Sequence, residues 1–229
     1  MPFNGRVAIV TGGLRGIGKA TADLLESRGA TVIRWGLNRG IIVDVRNERE
    51  VTDAVRAAME THKRIDILVN NAGVFGPVKS ALAYTVDEWN TVFADNLVSQ
   101  LIVMKAVIPH MLQAGYGRIV NLSSVVGRDA NPMAPAYSAA KAGVVRLTQA
   151  VGRELATSGV LVNCVAPSAT NTDLFRNTPQ AQLDIMKAKV PMGRFAEPHE
   201  VAELICWLAS EQMTYSAGAV FDCSGGRHE

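Results

Sequence analysis

The order of apolar and helical segments along this chain predicts an α/β protein, a mostly parallel sheet covered by helices on both faces. Three observations carry that prediction. Short apolar runs alternate with stretches of helical spacing from one end of the chain to the other. The first run, Val7-Ala8-Ile9-Val10, leads through a glycine-rich turn directly into a helical stretch. The chain has 229 residues, 48% of them hydrophobic, which suits one domain with a substantial core.

Residues 6–10 read as the first buried strand. Residues 17–27 have helical spacing, and Gly29-Ala30 closes that helix. Residues 31–35 and 40–45 read as the second and third strands. Residues 48–62 are helical, and residues 65–69 form a fourth strand that ends at Asn70-Asn71-Ala72-Gly73. Residues 86–112 are a long helical region. Residues 118–122 are a fifth strand, 136–157 a helix, and 160–165 a sixth strand that ends at Pro167. Residues 171–196 are the least regular connection, of a length that often serves as a lid. A helix over 198–210 and a last strand over 219–221 complete the series. Strands joined through helices in this way require right-handed crossovers.

Net charge is +2 with no long run of Lys and Arg, which argues against nucleic acid or an anionic membrane as partner. Cys164, Cys206 and Cys223 lack metal-like spacing and cannot all pair, so they read as buried thiols in a reducing compartment. The chain starts without an apolar signal region. Lys105 and His110 interrupt the longest apolar region, so no run is expected to approach a membrane span. A cytoplasmic protein is expected.

Two motifs carry chemistry. In Thr11-Gly12-Gly13-Leu14-Arg15-Gly16-Ile17-Gly18, glycines between a strand and a helix let backbone approach a pyrophosphate. The helix amino end then offers free N–H groups and a favourable dipole. Further on, Tyr137 and Lys141 stand four apart and share one helix face. A free phenol has a pKa of about 10, and a cation beside it favours the phenolate. Such a pair is an acid/base device, because a general acid works best with its pKa near the operating pH.

Thr11-Gly12-x-x-x-Gly16-x-Gly18, Asn70-Asn71-Ala72-Gly73, Ser123-Ser124 and Tyr137-x-x-x-Lys141, in this order, resemble the short-chain dehydrogenase/reductase family. The likeness runs almost the whole chain, from about Gly5 to Gly226. It implies a single Rossmann domain over residues 1–229, a doubly wound parallel sheet of about seven strands. It implies Tyr137 as catalytic acid/base, with Lys141 holding the nicotinamide ribose and lowering the tyrosine pKa. Ser124 resembles the donor to the substrate oxygen; Ser123 competes, though strand alternation turns it to the opposite side. Asn96 resembles the residue that holds a water of the proton relay.

The same resemblance assigns the cofactor site to Gly12, Leu14, Arg15, Gly16, Ile17 and Gly18. Asp44 and Val45 resemble the pair that meets the adenine. Asn70, Asn71, Ala72 and Gly73 resemble the loop beside the adenosine ribose. Pro167, Thr170 and Thr172 resemble the loop beneath the nicotinamide, where Ser168 replaces the usual glycine. An acid at the end of the second strand would select NAD(H), but Gly36 stands there. Arg15, with Arg34 and Arg39 near, favours NADP(H); NAD(H) stays possible. The chain also lacks the helix that most relatives have between Gly36 and Gly40.

The implied function is an NADP(H)-dependent oxidoreductase interconverting a ketone and a secondary alcohol. No metal is called for, since Tyr137 and Ser124 already serve the oxygen. The alternatives are an NAD-dependent dehydrogenase of a cyclic alcohol or dihydrodiol, a reductase of 3-oxoacyl chains on a carrier protein, and a nucleotide-sensing binding protein. Carrier-protein reductases usually present arginines near the site mouth, and the matching places are Gly115 and Ser158. Val126, Met133, Leu174, Phe175 and Met186 are candidates for an apolar substrate pocket. Apolar residues on two faces of the helices over 86–112 and 136–157 predict a homo-oligomer, dimer or tetramer. Leu97, Leu101, Val103 and Val107 form one such face, and Ala139, Ala142, Val145 and Ala150 the other.

Overall fold

The computed structural model describes residues 2–173 and 178–227. Its strands are β1 (Val7–Thr11), β2 (Thr31–Gly36), β3 (Ile41–Ile42), β4 (Ile67–Asn70), β5 (Gly117–Leu122), β6 (Val160–Pro167) and β7 (Val220–Cys223). They pair parallel in the order β3-β2-β1-β4-β5-β6-β7. Every residue of β1, β4, β5 and β6 is buried, as continuous apolar runs in a sheet covered on both faces should be. The order reverses between β1 and β4, so their carboxyl ends flank the crevice where this fold binds ligands.

Two cores hold the helices on. On one face, α1 (Gly16–Ser27) and α7 (Pro198–Leu208) press Ala22, Leu25, Val201 and Ile205 against the sheet. On the other, α2 (Glu48–His62) and α4 (Ser99–Ala114) contribute Val51, Val55, Val103 and Val107. The helix α5 (Pro135–Glu154) adds Leu147 and Val151 to that second core. The start of α2 follows from Asn47, whose side chain accepts hydrogen bonds from the Arg49 and Glu50 amides.

Four expectations need correction. The third strand is two residues rather than 40–45: no helix covers the segment after Gly36, and Ile41 and Ile42 lie exposed on an edge strand. The long helical region is not one helix. It divides into α3 (Val86–Phe93), a π-helical turn (Ala94–Val98) and α4. The Asn96 side-chain Nδ2 donates to the Val92 carbonyl, four residues back, at 2.9 Å and so occupies the acceptor of a regular turn. The connection over 171–196 contains α6 (Gln180–Ala188), a helix with no buried residue. Finally, the helical run Val86–Ala114 spans 29 residues, with a window of mean hydropathy 1.4, and is long and apolar enough to cross a membrane. Its Val103, Met104, Val107 and Met111 lie in the core against the sheet, as in a core helix.

Candidate active site

The glycine turn is shaped by backbone. Gly12 and Gly16 adopt φ of +64° and +53°, a region that side chains disfavour. A Cβ at Gly18 would stand 2.3 Å from the Gly12 carbonyl and 2.4 Å from Asn71 Nδ2. Asn71 bolts this turn to the end of β4: its Nδ2 donates to the Thr11 and Gly12 carbonyls at 3.0 and 3.3 Å. Thr11 Oγ1 accepts from the Asn71 and Ala72 amides, each at 3.0 Å. Arg15 occupies the N-cap position of α1 without capping it, and the first turn holds no acid. A dinucleotide pyrophosphate fits this cradle, because uncapped amides and the helix dipole face a turn whose Gly12, Gly16 and Gly18 carry no side chain. Thr172 closes over it, 3.2 Å from the Cβ position of Gly16. Ser168 has an ordinary negative φ, so its departure from glycine costs no strain.

At the adenosine end, Leu14 fills the space beside Gly36; a Cβ there would lie 2.5 Å from Leu14 Cδ1. The three arginines differ. Arg34 is committed to Asp23 and Glu26 at 2.7 and 2.6 Å. Arg39 donates to the Leu14 carbonyl at 3.0 Å. Arg15 is exposed. Asp44 is held by Arg46 at 2.7 Å, and the hydrogen bonds from Arg46 keep its carboxyl below the usual range. Val45 packs on the second core.

The four proposed catalytic residues converge where β5 ends. Ser123 turns inward, its Oγ donating to the Lys141 carbonyl at 2.7 Å, while Ser124 Oγ, beside Tyr137, donates to the Pro167 carbonyl at 3.4 Å. The alternation of the strand end thus separates the two serines as expected. Lys141 is buried, with Nζ 5.5 Å from the Tyr137 ring centroid. Nζ donates to the Leu122 carbonyl at 2.8 Å. The lysine was expected to lower the tyrosine pKa; instead burial pushes Tyr137 up to about 12, opposed by the nearby Ser124 hydroxyl. Burial also draws Lys141 down to about 8. Asn96 is fully buried and clamps the loop after Gly73: its Nδ2 donates to the Val74 carbonyl at 2.8 Å, and its Oδ1 accepts from the Val74 amide at 3.2 Å.

Two neighbours escaped the sequence reading. Phe75 leans on the Tyr137 ring, centroids 4.8 Å apart. Gln100 donates to the same Leu122 carbonyl as Lys141. The available signal for Gln100 was its place four residues after Asn96, on the helix face that continues as Val103, Met104, Val107 and Met111. Of the pocket candidates, Val126 is buried, Met133 is exposed and Met186 is half-buried on α6. Leu174 and Phe175 lie outside the described residues. Gly115 and Ser158 precede β5 and β6, so within one chain they sit at the opposite end of the sheet from Ser124, not at the site mouth.

The family model described as Enoyl-(Acyl carrier protein) reductase matches residues 12–228. The chain is 37% identical to a 2-dehydro-3-deoxy-L-rhamnonate dehydrogenase (NAD(+)) of Sphingomonas sp., covering 98% of this chain and 96% of that protein. It is 36% identical to the 3-oxoacyl-[acyl-carrier-protein] reductase FabG of Vibrio cholerae, covering 100% and 99%. Among solved structures, gox2181 aligns with a TM-score of 0.95 at 32% identity over 99% of this chain and 96% of its own. Levodione reductase aligns with a TM-score of 0.93 at 28% identity, covering 98% of each chain. A seven-stranded doubly wound sheet and whole-length relatives of this kind lead to one conclusion: the chain belongs to the short-chain dehydrogenase/reductase family of oxidoreductases.

Proposed function

We propose that the chain is an NADP(H)-dependent oxidoreductase that interconverts a ketone and a secondary alcohol, with Tyr137 as acid/base. The observation that carries this reading is that Ser124 and the Lys141 ammonium both stand beside Tyr137, at the sheet end that also bears the glycine cradle. A bound nicotinamide cofactor supplies or accepts the hydride. Ser124 and Tyr137 donate hydrogen bonds to the carbonyl oxygen, and Tyr137 gives its proton as that oxygen gains charge. Lys141 holds the cofactor ribose and, with a water at Asn96, returns the proton to Tyr137. Oxidation runs the same path backwards. Free Cys164, Cys206 and Cys223 support a reducing, cytoplasmic setting.

NADP(H) is favoured by the absent acid at Gly36, where Leu14 takes up the space, and by exposed Arg15. Arg34 drops out, because two carboxylates already hold it. A second reading, an NAD-dependent dehydrogenase, is favoured by the Sphingomonas relative, whose name specifies NAD(+). The FabG relatives are named for acyl chains on a carrier protein. The test is kcat/KM with both cofactors, for the wild type and for Arg15→Ala. NADP(H) should be preferred, and the variant should lose roughly tenfold of that preference as a charge-assisted phosphate contact goes. A wild type that prefers NAD(H) contradicts the cofactor assignment.

A further inference from the structure

One buried polar side chain beside the site has no part in the chemistry above. Gln100 on α4 is 2% exposed. Its Nε2 donates to the Leu122 carbonyl at 3.1 Å, and its Oε1 has no partner among the described residues. The same carbonyl accepts from Lys141 Nζ at 2.8 Å. Leu122 is the last residue of β5, while the pairing of β4 with β5 stops at Asn70 and Asn121. The Leu122 oxygen therefore lies past the end of that ladder, and side chains from α4 and α5 meet on it. A carbonyl has two lone pairs and serves both donors at once.

Resting on the reading of Lys141 as the lysine that holds the cofactor ribose, we propose that Gln100 is a positioning residue for Lys141. It keeps the Leu122 carbonyl hydrogen-bonded when the ammonium turns from that oxygen towards the ribose. Without Gln100, the departure of the lysine strands a buried acceptor, and the ammonium is held harder on the strand end. The amide orientation follows from the same contact, since a flipped amide would set Oε1 against the Leu122 oxygen. The arrangement leaves Oε1 unsatisfied, a cost that an apolar residue would avoid; nearby Val103, Met104 and Val107 of α4 are apolar. Asn70 fixes the helix at this point, its Nδ2 donating to the Gln100 backbone carbonyl at 3.2 Å and to Asn121 Oδ1 at 3.0 Å.

The test is fluorescence titration of NADPH and NADH onto the wild type, Gln100→Met, Lys141→Met and the double variant, with the thermal midpoint of each. Gln100→Met keeps the length and nearly the volume while removing both amide atoms. It should weaken cofactor binding on the order of three- to tenfold, with the thermal midpoint held or raised because the unpaired oxygen is gone. In the Lys141→Met background the same change should alter affinity by less than about twofold, since its effect passes through the lysine. In steady state, the cofactor KM should rise by a larger factor than kcat falls. Wild-type affinity in Gln100→Met, or equal weakening in both backgrounds, overturns the proposal. If Gln100→Met melts too low to titrate, Gln100→Asn takes its place under the same criteria, its amide one methylene short of the Leu122 oxygen. A wild type that binds neither cofactor overturns the site reading, and this proposal with it; wild-type binding with an unmoved variant overturns the proposal alone.

Discussion

Tyr137 and Lys141 are pushed in opposite directions by one cause. Burial raises the phenol to about 12 and lowers the ammonium to about 8. At neutral pH the free protein thus holds a neutral phenol donor beside a cation. Reduction needs the phenol proton and the ammonium together, and the ammonium is lost as pH rises through about 8. Ketone reduction should therefore be flat near neutrality and fall above about pH 8, while alcohol oxidation climbs over the same range, in kcat/KM profiles from about pH 6 to 10. A reduction profile without a break across that range contradicts the assignment. At this scale the chemistry-bearing residues were legible, because their spacing is local: Tyr137 to Lys141 is one helical turn, and strand alternation separates Ser124 from Ser123. Their partners were not. The Leu122 carbonyl lies 19 positions from Lys141 and 22 from Gln100, and no local pattern joins them.

Among elements, the turn from β1 into α1 is the most constrained. Gly18→Ala puts a methyl against the Gly12 carbonyl and Asn71 Nδ2. The carbonyl cannot yield without moving the cradle, so stability should fall by about 1–3 kcal/mol and cofactor affinity by about tenfold or more. Thermal unfolding and cofactor titration check this; a variant matching the wild type in both would mean that the turn relaxes freely. Helices with caps and apolar stripes were legible, and α2 runs over the residues its sequence indicates because Asn47 starts it. The π-helical turn was hidden: the Asn96 side chain that takes the Val92 carbonyl is held by Val74, 22 residues away.

For the whole molecule, alternation of strands and helices was enough to foresee a parallel sheet with helices on both faces. The strand order follows from right-handed crossovers on either side of β1. Of the faces offered for self-association, Val103 and Val107 proved to be core, whereas Leu101 is exposed together with Val98 and Leu112. That exposed strip, with half-buried Ala139 and Ala142 and exposed Ala150 on α5, offers apolar and small residues on both helices for a second chain. A dimer or tetramer is predicted. Light scattering at micromolar concentration should give a multiple of the 24.5 kDa chain mass, and a mass near 24.5 kDa contradicts it.

The central claim is that the Tyr137 hydroxyl moves the proton. Tyr137→Phe keeps the ring, its contact with Phe75 and its packing over Lys141, and removes only the hydroxyl. Steady-state turnover of a ketone that the wild type accepts, with cofactor affinity measured alongside, decides the matter. Turnover should drop by about 10²–10⁴-fold with cofactor binding retained; rates near wild type would contradict the claim.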